Sequence, residues 1–380
     1  MRYHPIGDTG LKVSEISFGA GTGAGLMVHG HIEEQTDTVR AALDAGINHF
    51  DTAAFYGFGA SEIYLGQALR RAGARDVLVT TKVAIGREWL ASRDLGRCVR
   101  QSVEQSLARL RREAIDVLLV HNATHRTHAP YDPARESERV AYIMNNYLPA
   151  LTLEDLTGDG GVLEEVERLI TAGKVRCFGL SGQDNDPAIV KGLIRERRIA
   201  LFNQTYNLLN PSAGFPAARD GRRVGAELAA YQRELFIEFE DVIEAAREAN
   251  VGVSVISVLA AGVLTDAADR GEPPAPVARR ANRFPFPGEF ERQLELVRRF
   301  KPVARAAGLT LAELAIRFVL STPGVTTLVG GLSSRAQVEE MVRYCDQPPL
   351  GEEVLAGLRE VWLGSAASSA SKSTSATGIE

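Results

Sequence analysis

Residues 46–57, Gly46-Ile-Asn-His-Phe-Asp-Thr-Ala-Ala-Phe-Tyr-Gly, read as a short strand, Asn48–Asp51, that runs into a loop with a tyrosine five residues after the aspartate. Two later stretches have the same form. Val77-Leu-Val-Thr-Thr-Lys is apolar and β-branched and ends on lysine; Asp116-Val-Leu-Leu-Val-His ends on histidine. Their apolar positions are continuous rather than alternating, as expected of parallel strands covered on both faces. Working outward, five more runs share the pattern: Glu15–Ala20, Cys177–Ser181, Ala200–Gln204, Gly252–Ser257 and Thr326–Gly330. Amphipathic helices are expected between them, over Glu33–Ala45, Ser61–Ala72, Leu95–Arg112, Val162–Ala172, Pro187–Arg197, Phe236–Ala249, Leu311–Leu320 and Arg335–Tyr344. Glycines just past Ala45, Ala72 and Ala172 suit helix C-termini, and Ser61 reads as a helix cap.

Eight strands, each followed by a helix, predict an α/β fold: a (β/α)8 TIM barrel in a single domain spanning residues 1–362. A doubly wound sheet is the competing fold. Its glycine-rich turn should open a helix, whereas Gly19-Ala-Gly-Thr-Gly-Ala-Gly leads into Leu26-Met-Val-His-Gly, a weak dinucleotide fingerprint. Gly7-Asp-Thr-Gly-Leu-Lys-Val reads as a hairpin turn that plugs the barrel bottom. Long connections, Asn122–Gly161, Thr205–Leu235 and Val258–Pro287, leave the carboxyl ends of strands, the rim where barrel enzymes place their sites. The Ser/Ala/Thr-rich stretch 363–380 is expected to be a disordered tail.

Composition narrows the function. The chain has 380 residues, 45% hydrophobic and 24% charged, with a net charge of -5, which favours neither nucleic acid nor an acidic membrane as partner. The arginines of 109–112 and 195–198 read as solvated helix ends. Cys98, Cys177 and Cys345 are far apart and form no C-x-x-C pair, which suits a reducing, cytoplasmic compartment better than a disulfide or zinc scaffold. The amino terminus lacks an apolar signal core. The most apolar run, Val251 to Leu264, is too short to span a bilayer.

The four residues at the ends of strands two, three and four define a chemistry. Tyrosine, with a pKa near 10, is a poor acid at neutral pH unless its anion is stabilised. A neighbouring ammonium does that: Lys82 would tune Tyr56, Asp51 would hold Lys82 charged, and neutral His121 would orient a carbonyl or relay a proton. Each residue alone has an ordinary structural reading, as rim packing, a solvated lysine or a helix cap. Together on one rim they suit carbonyl reduction, with the hydride coming from a cofactor.

These motifs resemble the aldo-keto reductase superfamily from about Gly7 to Val361. The similarity lies in 46–66, in Thr80-Thr-Lys and in Leu118-Leu-Val-His-Asn. The resemblance implies Tyr56 as general acid/base with Asp51, Lys82 and His121 around it, and a nicotinamide cofactor extended over the barrel top. It implies cofactor contacts from Gly21 and Thr22 after strand one, from Ser181 and Gln204 at the carboxamide, and from Ser257, Leu259 and Gly262 at the pyrophosphate. At the adenosine end it implies Gly331, Ser333, Arg335, Gln337 and Glu340. Arg335 favours NADP(H) over NAD(H). Three positions depart from the family pattern: Gly182 and Met341 replace asparagines, and Ile256 replaces an aromatic residue. The expected partner is a small carbonyl or alcohol (aldehyde, ketone or sugar), and the same residues serve a sugar or alcohol dehydrogenase. Phe55, Trp89, Arg126, Tyr142 and Tyr206 are candidate pocket residues. No metal is expected, because His125 and His128 of His121-x-x-x-His-x-x-His fall in a polar loop. The alternative is a cofactor-binding accessory module or redox sensor, like the superfamily's potassium-channel β-subunits.

Overall fold

The computed structural model describes residues 1–128, 148–182, 185–215, 238–270 and 288–363. A two-stranded hairpin, β1 (Tyr3–Pro5) and β2 (Lys12–Ser14), precedes eight parallel strands. These are β3 (Ile16–Gly19), β4 (His49–Asp51), β5 (Leu78–Val83), β6 (Ile115–Val120), β7 (Val175–Gly182), β8 (Leu201–Thr205), β9 (Gly252–Ile256) and β10 (Thr327–Gly331). They close in the order β10-β3-β4-β5-β6-β7-β8-β9. Each expected strand is present, with ends shifted by at most two residues. All eight point the same way, so their carboxyl ends form one rim.

Alternation divides each strand between two environments. Ile16, Phe18, Phe50 and Val79 pack with the surrounding helices in the main core. Val117, Leu119, Cys177 and Leu201 instead form a second cluster with Ile6, Leu11 and Val13 of the hairpin segment. The plug expected from Gly7–Val13 is therefore real: the hairpin fills the barrel at the amino ends of its strands. Close strand contact fixes one glycine. A Cβ at Gly179 would lie 1.6 Å from the Leu201 carbonyl oxygen, so β7 and β8 approach too closely for any side chain.

A polar layer crosses the lumen above the plug. The Thr327 hydroxyl donates to the Ser14 carbonyl at 2.8 Å. It must then accept from Ser17 Oγ, 2.6 Å away. With its proton so committed, Ser17 must accept from His49 Nδ1 at 2.6 Å. His49 Nε2 is left to accept from Thr80 Oγ1 at 2.7 Å. The chain of donors fixes the imidazole as the Nδ1–H tautomer. Burial pushes the His49 pKa down to about 4, so the ring stays neutral.

Some expectations fail locally. Ser61 does not cap its helix: the cap is Gly59, and Ser61 Oγ donates inward to the Ala20 carbonyl and bonds Thr52 Oγ1. Leu26–His29 does form one helical turn after the glycine-rich loop. Arg109 and Arg112 are not freely solvated; they neutralise the buried carboxylates of Glu62 and Asp116. Short helices over Arg87–Ser92, Leu153–Thr157 and Lys301–Ala306, and longer ones over Glu289–Arg298 and Glu352–Leu363, went unforeseen. The expected helix Phe236–Ala249 is seen over Val242–Glu248. Parts of the three long connections, Tyr142 and the 364–380 tail lie outside the described residues.

Candidate active site

Asp51 ends β4 and Lys82 is the penultimate residue of β5; both continue the lumen face of His49 and Thr80. Lys82 is only 1% exposed. Its Nζ donates to Asp51 Oδ1 at 2.6 Å and to the Thr52 carbonyl at 2.7 Å. It also faces Tyr56, 5.0 Å from that ring's centroid. Burial opposes charge on Lys82, but the Asp51 carboxylate and Tyr56 outweigh it, and the pKa is raised. An ammonium that stays charged while touching a phenol is the arrangement that eases the phenol's ionisation.

Tyr56 is presented by the chain just beyond β4. Tyr56–Gly59 is a short 3-10 segment, bent at Gly57 (φ 60) and Phe58 (φ 53). On the other side lies Gly21, where a Cβ would stand 3.6 Å from the Tyr56 ring and 4.0 Å from its hydroxyl. A side chain larger than alanine there would press on the phenol. His121 follows β6, and its ring meets Tyr56 edge-on at 5.4 Å between centroids. Burial, helped by the Lys82 charge, pushes the His121 pKa down to about 3, so the imidazole is neutral. Two buried atoms of this cluster, His121 Nδ1 and Asp51 Oδ2, have no hydrogen-bond partner among the described residues. Orphaned polar atoms in a buried site are a mark of ligand or water binding.

The four residues thus form one constellation at the carboxyl rim. The remaining expected residues spread around it. Ser181 and Gln204 are buried at the ends of β7 and β8; Gln204 donates to the Thr205 carbonyl. Thr22 is exposed beside Gly21. Ser257 (φ 58), Ala260 (φ 45) and Ala261 (φ 60) give the loop after β9 three non-glycine residues in the left-handed region, followed by Gly262 (φ 93). Gly331 ends β10, where a Cβ would stand 3.6 Å from the Ala24 side chain across the rim. Ser333 donates from its backbone N–H and its hydroxyl to Gln337 Oε1. Arg335 is held by Asp37 through contacts of 3.1 and 2.6 Å. Glu340 accepts from the Tyr344 hydroxyl at 2.6 Å. Met341 is buried, its sulfur 2.5 Å from where a Cβ on Gly330 would be.

Among the pocket guesses, Phe55 is 37% exposed and edges His121 at 6.0 Å. Trp89 packs against the core, and Arg126 pairs with Asp186. Tyr206 is not a rim residue: it is buried against Phe318, with its hydroxyl bonded to Thr322. His128 binds Asp155 rather than joining His121. Among the described residues no group of three or more His, Cys, Asp or Glu could hold a metal ion. Reading the sequence missed Thr52, whose carbonyl completes the Lys82 cage. It also missed Asn122, whose side chain ties the Ile85 backbone to the Pro149 carbonyl beside the site. A backbone carbonyl leaves no signal in sequence; the Asn in Leu118-Leu-Val-His-Asn was visible but unassigned.

Comparison with known proteins agrees with this architecture. A model described as Aldo/keto reductase family matches residues 15–363. Aldo-keto reductase YhdN of Bacillus subtilis (strain 168) is 26% identical over 364 residues, covering 90% of this chain and 88% of that protein. A probable voltage-gated potassium channel subunit beta of Arabidopsis thaliana is 26% identical over 360 residues, covering 92% and 93%. The solved structure of aldo-keto reductase AKR11C1 from Bacillus halodurans (holo form) superposes with a TM-score of 0.62 at 20% identity, covering 95% and 96%, a likeness of fold. With nearly its whole length matched and its eight strands closed into the same barrel, this chain belongs to the aldo/keto reductase family.

Proposed function

We propose that the protein interconverts a carbonyl and an alcohol with a nicotinamide cofactor, Tyr56 being the general acid/base. The observation that carries this reading is the buried Lys82 ammonium, clamped by Asp51 and lying 5.0 Å from the Tyr56 ring centroid. In the reducing direction Tyr56 gives its proton to the carbonyl oxygen, and the phenolate left behind is stabilised by the Lys82 ammonium. Neutral His121 directs a ring N–H toward the same oxygen and orients it. In the oxidising direction the phenolate takes the proton back, so one constellation serves both.

The residues present fit a nicotinamide dinucleotide. Ser181 and Gln204 would take the carboxamide, and Gly21 leaves room beside the phenol. Ser257, Leu259 and Gly262 would hold the diphosphate, Gly331, Ser333, Arg335, Gln337 and Glu340 the adenosine end, with Gly21 and Thr22 adding contacts after the first barrel strand. When bound, that cofactor supplies the hydride that no side chain can. NADP(H) is the preferred form in this reading, on Arg335, although the guanidinium already holds the Asp37 carboxylate. The substrate is a small aldehyde, ketone or sugar.

Stopped-flow oxidation of bound NADPH by a panel of aldehydes tests the reading. Tyr56→Phe should slow turnover by about 10²-fold or more, roughly 3 kcal/mol of barrel-rim catalysis, with cofactor affinity kept. Near-normal turnover in that variant would remove Tyr56 from the role. Cofactor binding without turnover by the unaltered protein would favour an accessory module instead.

A further inference from the structure

We infer that Asn207 is a positioning residue: from the turn after β8 it holds the loop after β9 in the shape that receives the cofactor's diphosphate. The inference rests on the nicotinamide-dependent reading above.

Asn207 is 1% exposed, and its side chain is used at both ends. Oδ1 accepts from the backbone N–H groups of Leu209 and Asn210 at 2.9 and 3.0 Å. Those bonds close the Asn207–Asn210 turn, whose backbone is also paired, the local role to which asparagine is suited. Nδ2 points the other way and donates to the Ser257 carbonyl at 2.9 Å. The turn is itself pinned to the barrel, because Trp362 Nε1 donates to the Leu208 carbonyl at 2.9 Å. A rigid brace therefore ends on one atom of the next loop.

That atom matters because Ser257 sits at φ 58, a conformation that costs a residue with a Cβ and persists only when its surroundings impose it. The Ser257 carbonyl accepts a second bond from Ala260 N at 2.9 Å, and Ala260 and Ala261 follow in the same left-handed region. The outcome is a loop in which the backbone N–H groups of Val258, Leu259 and Ala261 donate to nothing among the described residues. Leu259 (φ -93) followed by Ala260 (φ 45) sets a right-handed residue beside a left-handed one, the backbone pattern of an anion-binding concavity, with the N–H groups of Leu259 and Ala261 open on either side of the bonded Ala260 N–H. Asn207 does not touch that concavity; it sets Ser257, and Ser257 sets the entry to it.

The test compares Asn207→Ala, Ser257→Gly and the double variant with the unaltered protein. Binding is titrated with ADP-ribose, which carries a diphosphate, and adenosine 2′-monophosphate, which does not. Asn207→Ala should weaken ADP-ribose and NADPH by about tenfold or more, the scale of one strained residue released, while adenosine 2′-monophosphate binds as before. Glycine adopts positive φ without penalty. In the Ser257→Gly background, removing Asn207 should therefore cost less than about threefold, a coupling that a double-mutant cycle reads directly. Equal weakening of both probes, unchanged ADP-ribose affinity, or the same loss in the glycine background would overturn the inference. If Asn207→Ala does not fold, Asn207→Asp keeps both accepted bonds, lacks the donated one and faces the same two probes. Failure of the unaltered protein to bind either NADPH or NADH would instead defeat the functional reading on which the inference stands.

Discussion

Replacing Lys82 with methionine separates what the buried ion pair does for the fold from what it does for the chemistry. Lys82 Nζ satisfies Asp51 Oδ1 and the Thr52 carbonyl and lies over the Tyr56 ring. Asp51 Oδ2 already has no partner among the described residues, so Lys82→Met would leave a buried carboxylate with neither oxygen bonded. Removing one member of a buried pair costs about 3–5 kcal/mol, because the other charge stays uncompensated. The carboxylate relieves part of that by taking up a proton, so the loss should be larger at pH 8 than at pH 5. Adding Asp51→Asn to Lys82→Met removes the stranded charge and should recover more than half of the lost stability. Turnover should stay abolished in the double variant, since Tyr56 then has no cation. Urea unfolding followed by tryptophan fluorescence gives the stabilities, and single-turnover oxidation of NADPH gives the chemistry. The reasoning fails if Lys82→Met loses under ~1 kcal/mol, or if the asparagine recovers nothing.

Acid should destabilise the fold before the carboxylates titrate. His49 and His121 have folded pKa values of about 4 and about 3, against 6.5 when unfolded. The unfolded chain thus binds more protons below pH 6.5, and stability falls as pH drops through that window. The ceiling for His49 is roughly 3 kcal/mol by pH 4; a flat urea midpoint between pH 7 and pH 5 would contradict it. At the surface, Asp37→Asn frees Arg335 from its carboxylate. Affinity for NADPH relative to NADH should rise about two- to fivefold, the scale of an exposed pair. An unchanged ratio in parallel fluorescence titrations would place the 2′-phosphate elsewhere.

The barrel was legible because burial on both faces leaves continuous apolar runs. Those runs located all eight strands and the residues at their ends. The candidate site cluster was legible because its side chains follow one another on consecutive strands, so chain order already sets neighbours. Features made of backbone or of long-range pairs were not. Arg335 looked like a free cation until folding brought Asp37, some three hundred residues away, against it. Ser61 resembled a cap because its true partner, the Ala20 carbonyl, is tertiary. Tyr206 reads as a pocket candidate in sequence because nothing local tells an aromatic facing a pocket from one facing Phe318.

The hydroxyl and imidazole chain through the lumen carries a restriction on how such a sequence can drift. Thr327, Ser17, His49 and Thr80 each spend their one proton in a fixed direction. Swapping Thr327, Ser17 or His49 for a hydrocarbon strands the neighbour on either side, and swapping Thr80 strands His49, at the cost of an unmade bond in a dry interior. Relatives should therefore hold the quartet complete or replace it wholesale with aliphatics, and chains caught halfway should be scarce.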